Sequence, residues 1–138
     1  SMGIAERVSE WLAISEDDLE VAELCLKGAK YLHCAYMCQQ AVEKCLKALI
    51  TAQNDNPMPI HNLPGLAMDA DVWGIMHTDQ RMFLRALTTY AIEARYPERK
   101  QRLYQQCTRD EAERILNSTK EMVAWVRSLI EEKPSQEK

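Results

Sequence analysis

Tyr36, Gln40, Glu43 and Lys47 follow one another at steps of 4, 3 and 4, with Lys44 beside Glu43. That spacing puts their side chains on one face of a helix. An amide, a carboxylate and two ammonium groups on one face allow two readings. One is a solvated face, with Glu43 and Lys47 as an i,i+4 pair worth about 0.3 kcal/mol. The other is the wall of a narrow groove. Gln39-Gln40 sits between apolar neighbours, and Lys44 and Lys47 are flanked by Cys45, Leu46, Ala48 and Leu49. Ammonium groups in such a groove would neutralise a phosphate. Two further segments carry suitable groups. His61 follows the loop after this stretch and can hydrogen-bond a ligand. The run Arg95-Tyr96-Pro97-Glu98-Arg99-Lys100-Gln101-Arg102 sets four cations against one carboxylate. Guanidinium groups and a tyrosine ring suit phosphate and base contacts, although a single basic cluster is more often a charged surface loop.

His33, Cys34, Cys38 and Cys45 also share one segment. A metal centre needs three or four converging ligands, and no second Cys/His pair is present to complete one. Small buried thiols in a helix seam are the simpler expectation, with no metal and no cofactor. The five cysteines are odd in number and not spaced as a disulfide framework, which predicts free thiols and a cytoplasmic location.

These groups need elements to position them. The chain has 138 residues, a net charge of −4 and 46% hydrophobic residues, enough for one core and too apolar for a disordered chain. No apolar run approaches the ~20 residues that span a bilayer, so no membrane segment is expected. Four glycines argue against a Gly-rich phosphate loop and against a turn-rich β fold. Apolar periodicity predicts helices near 5–29, 30–53, 62–70, 79–92 and 109–131, with a long aperiodic connector before the last. Ser15 and Asp18 resemble a capping box, but the apolar face continues through them. The expected architecture is all-α: a five-helix up-and-down bundle built on two long antiparallel helices. Residues 2–131 would form a single domain and 132–138 a disordered tail. Trp11, Leu19, Ala35, Val42, Leu46, Phe83, Leu87 and Val123 are the expected core.

Trp11 followed by Asp17-Asp18-Leu19, the run from Cys38 to Leu49 with its Gln-Gln-Ala-x-Glu-Lys-x-Leu-Lys-Ala core, Ile60-His61-Asn62-Leu63, Tyr90 and Arg95-Tyr96-Pro97 occur in this order. Together they resemble the HEPN family (higher eukaryotes and prokaryotes nucleotide-binding). The resemblance implies a helical homodimer. It also implies nucleotide or RNA binding and a nucleotidyltransferase partner in a toxin–antitoxin or defence module. The ligand-facing set it suggests is Gln40, Glu43, Lys44, Lys47, His61, Arg95 and Tyr96. Many family members are metal-independent ribonucleases with an Arg, four to six residues, then a His. Here none of His33, His61 and His77 has an Arg at that distance before it. Binding without the usual cleavage is the preferred expectation. A degenerate ribonuclease using the Arg95–Arg102 run with His61 or Tyr104, and a non-catalytic interaction module, are the alternatives. A structural alternative for one residue is an ion pair of Arg95 with Glu43.

Overall fold

A computed structural model describes residues 2–132 and is all-helical. Two long helices, α1 (Ile4–Lys27) and α2 (Tyr31–Ala52), form the expected antiparallel hairpin. α3 (Leu63–Asp69) and a 3-10 turn at Trp73–Ile75 lead into α4 (Thr78–Ile92). A second 3-10 turn, Glu93–Arg95, precedes α5 (Pro97–Gln106), and α6 (Arg109–Glu132) closes the bundle.

α1 continues unbroken through Ser15 because that side chain does not cap. Its hydroxyl is fully buried and donates to the Ala41 carbonyl of α2 at 2.6 Å. The hairpin turn holds Ala29, not Gly28, in the left-handed region (φ 60°). The Lys30 amide closes the turn on the Cys25 carbonyl at 2.8 Å. At the other end of α2, Asn54 takes φ 62°, a conformation that its short polar side chain tolerates.

α2 is the central rod. Most of its residues from Leu32 to Thr51 are buried, because α1, α3, α4 and α6 surround it. α6 runs parallel to α2, with the Cys45 thiol 3.8 Å from the Val123 carbonyl. Lys120 ties α6 to α1 through Glu23 at 2.9 Å. Of the expected core, Ala35, Val42, Leu46, Leu87 and Val123 are buried, whereas Leu19 and Phe83 are half-buried and pack on its edge, and Trp11 is half-buried without joining it.

The aperiodic connector is not a plain loop: it holds α5. Only Leu103 of that helix is buried, so no apolar stripe announced it. Pro97, which reads as a breaker, occupies the first turn, where a missing N–H costs nothing. The structure therefore has six α-helices among the described residues where five were expected. α4 starts with the Gln80 side chain accepting from the His77 amide at 2.8 Å, so the cap lies one residue before Thr78. The guanidinium groups of Arg81 and Arg85 both stack on the Trp73 ring, at 5.7 and 5.2 Å. The tail assigned to 132–138 falls outside the described residues, apart from Glu132, which ends α6.

Four of the five cysteines are buried and Cys25 is half-buried. Burial pushes the Cys45 thiol up to about 12, so it stays neutral and inert. In the native protein a thiol reagent should label one cysteine quickly, and mass mapping should place the label on Cys25. The remaining four should react only on unfolding.

A buried carboxylate that orients an exposed histidine

The side chains that the sequence spacing placed on one face divide between two environments. Tyr36 is exposed and Gln40 half-buried, and neither takes part in a side-chain hydrogen bond among the described residues. The neighbouring stripe Gln39, Glu43, Lys47 and Thr51 recurs every four residues and lies inside the bundle. Such groups tolerate burial only when their hydrogen bonds are made internally.

Most of those bonds converge on Glu43, which is 1% exposed. Its Oε2 accepts from Lys47 Nζ at 3.0 Å. Its Oε1 accepts from Gln39 Nε2 at 3.3 Å and lies 2.9 Å from His61 Nδ1. Lys44 sits 3.9 Å from Glu43 and 3.9 Å from Asp18 of α1, bridging the two carboxylates. Trp11, also on α1, presents its ring 5.8 Å from Lys47 Nζ, a cation–π contact.

His61 is fixed from behind as well. Its carbonyl accepts from Gln39 Nε2 and from the Thr88 hydroxyl, each at 3.0 Å. Thr88 in turn accepts from the Leu63 amide at 3.1 Å. The loop after α2 is thus clamped between α2 and α4 just before α3, which Asn62 caps through the Gly65 amide at 3.0 Å. The imidazole itself is 44% exposed.

Burial pushes the Glu43 carboxyl up, but hydrogen bonds from His61 and Lys47 and the charges of Lys47 and Lys44 outweigh it and hold the group below its ordinary value. Glu43 is therefore a carboxylate at neutral pH and accepts a hydrogen bond from His61 Nδ1–H. Neutral His61 takes the Nδ1–H tautomer, with the Nε2 lone pair directed away from Glu43. At Asp18 the balance reverses: burial raises the carboxyl, and Lys44 only partly offsets it.

A depressed folded-state value carries a definite pH signature. The contribution of Glu43 to stability is complete above its unfolded value, near ~4.3, and is lost as pH falls through the lower folded value. Urea denaturation should show stability declining with acidification below about pH 4.5, and a smaller decline for Glu43→Gln.

Glu43, Lys44, Lys47 and His61 are brought together. Arg95 and Tyr96 are not joined to them by any hydrogen bond or ion pair. Both are exposed at the turn before α5, and the Tyr96 ring lies 4.9 Å from the Arg99 guanidinium. The buried ion pair of Arg95 with Glu43 does not form; Lys47, Lys44 and His61 occupy that carboxylate. The sequence reading missed Gln39, Asp18 and Thr88 as parts of the network. Gln39 had a usable signal, since it stands four residues before Glu43. Among the described residues no three His, Cys, Asp or Glu side chains are grouped as metal ligands.

An all-helical bundle whose central helix carries a buried Gln–Glu–Lys stripe facing an oriented histidine defines the class of protein. The chain matches the HEPN domain over residues 8–129 and belongs to that family. It is similar to the crystal structure of TT1696 from Thermus thermophilus, with 26% identity and a TM-score of 0.77, covering 88% of this chain and 97% of that one. The archaeal HEPN homologue ST0689 shares the fold, with a TM-score of 0.70 at 23% identity over 89% of this chain and 97% of that one. No curated protein matches the chain. No helix among the described residues is long and apolar enough to cross a membrane.

Proposed function

We propose that residues 2–131 form one HEPN domain that binds a nucleotide or RNA, as a cytoplasmic homodimer beside a nucleotidyltransferase in a two-component module. The observation that carries the binding reading is the 2.9 Å contact between the half-exposed His61 and the buried Glu43. A carboxylate behind an imidazole fixes its tautomer and the orientation of its ring. Neutral His61 accepts at Nε2 from a ribose hydroxyl or a base N–H. Protonated, it donates there to a phosphate oxygen. Lys44, at the rim, supplies positive charge. Lys47, only 6% exposed, supports Glu43 from below. Gln40 borders the same face, and the exposed Arg95 and Tyr96 are assigned to the same ligand on the family resemblance rather than on contact with His61.

A test uses a short fluorescent single-stranded oligoribonucleotide and fluorescence anisotropy. Replacing His61 by Gln should weaken binding by roughly tenfold or more, the loss of one charge-assisted hydrogen bond. Equal affinity for wild type and His61→Gln would contradict the reading.

The same geometry favours one second reading, a metal-independent ribonuclease of unusual pattern. An Nε2 lone pair set by a carboxylate is the arrangement of a general base. Cleavage of the oligoribonucleotide in excess chelator, abolished in His61→Gln and in Arg95→Ala, would establish it. Binding without cleavage supports the first.

A further inference from the structure

α4, α5 and α6 close around a cavity of about 300 Å³, and no member of the Glu43–His61 network lines it. Its floor is apolar and drawn from three helices. Leu87 and Tyr90 come from α4, Leu103 from α5 and Ile115 from α6, and all four are buried. Phe83, the one phenylalanine of the chain, adds a second, half-buried ring. An apolar recess between helices with a few polar groups at its edge is the usual make-up of a small-molecule site. The space of about ten waters suits a ligand of similar heavy-atom count.

The polar groups at the rim set the charge of that ligand. Gln106 and Arg114 are exposed there, and Glu93 and Glu111 are half-buried. Arg114 is already engaged: its Nε and Nη2 donate to the two oxygens of Glu111 at 2.6 and 3.0 Å. Those hydrogen bonds hold the Glu111 carboxyl below its ordinary value, so the pair is a closed unit of no net charge. Glu93 makes no ion pair among the described residues, which leaves one uncompensated carboxylate at the rim. A phosphate or carboxylate ligand would be repelled by it, and an ammonium would pair with it. An aromatic body suits Phe83 and Tyr90, because ring pairs gain more than the area they bury.

We infer that this cavity binds a small aromatic amine, its ring against Phe83 and Tyr90 and its ammonium on Glu93, with the Gln106 side-chain oxygen as a second acceptor. The site is separate from the proposed oligoribonucleotide site. α5 buries only Leu103 among its own residues, so an occupant touching Leu103 and Gln106 adds to the few contacts that hold this helix.

The probe is 2-phenylethylamine, titrated into the nitrogen-15-labelled full chain and followed by amide NMR shifts. Saturable shifts centred on residues 83–93, 103–106 and 111–115 are expected, with a dissociation constant of about 1 mM or tighter. 3-Phenylpropionate, which carries a carboxylate in place of the ammonium, should bind at least about tenfold more weakly. Glu93→Gln, with circular dichroism to verify its fold, should weaken the amine about fivefold. Shifts that stay linear in amine concentration, or that centre on other segments, overturn the site. Equal binding of 3-phenylpropionate, or amine affinity unchanged in Glu93→Gln, overturns the charge pairing and with it the inference.

Discussion

Glu43→Ala should be among the most damaging single substitutions in this protein. It removes the one carboxylate to which Lys47 and His61 are both bonded, and leaves the Lys47 ammonium, 6% exposed, without its 3.0 Å partner. Breaking a buried ion pair from one side costs about 3–5 kcal/mol, because the remaining charge is uncompensated. For a chain of this size that corresponds to a fall in melting temperature of roughly 10–20 °C. The Trp11 ring, 5.8 Å from the ammonium, is a weak substitute. Removing both charges should be milder. Glu43→Gln combined with Lys47→Met should recover a large part of the loss, since neither group is then left buried and charged. Thermal melts of both variants, extended to a double-mutant cycle, measure the coupling directly. Equal melting temperatures for Glu43→Ala and wild type would show that the network contributes nothing to the fold.

Arg95→Ala should behave in the opposite way. Its side chain is exposed and makes no ion pair among the described residues, so the melting temperature should stay within about 2 °C of wild type, a change of under ~0.5 kcal/mol. Its effect belongs to the ligand. Removing one cation that contacts a phosphate should lower oligoribonucleotide affinity about tenfold and reduce the slope of log affinity against log salt by about 0.7. A large loss of stability would instead point to a structural role for Arg95. Unchanged affinity and salt slope would remove it from the site.

The two substitutions separate what the sequence made legible from what it did not. The helical character of the chain was readable because α1, α2, α4 and α6 all bury periodic apolar faces. α5 was not, because a helix that buries only Leu103 has no apolar period and begins with Pro97. The cluster around Glu43 was half readable. Helical spacing placed Glu43 beside Lys47, and the family resemblance suggested His61. Neither revealed that the stripe points inward, because burial of a charged stripe depends on partners brought by other elements. Asp18 and Trp11 arrive with α1, and Thr88 arrives with α4 to hold the His61 carbonyl. A linear pattern on α2 contains no record of them. Ser15 shows the same limit, its hydroxyl being used across the hairpin rather than along its own helix.

The central claim is that Glu43 presents His61 Nε2 to the ligand, and the ring nitrogens report on it directly. In a nitrogen-15 NMR spectrum of the histidine-labelled protein above about pH 7.5, where an ordinary imidazole is neutral, His61 should show a protonated Nδ1 and an unprotonated Nε2. Adding the single-stranded oligoribonucleotide should shift the His61 Nε2 resonance and leave the Nδ1 proton in place. A His61 with its proton on Nε2, or an Nε2 resonance that stays unmoved while the oligoribonucleotide binds, would contradict the account.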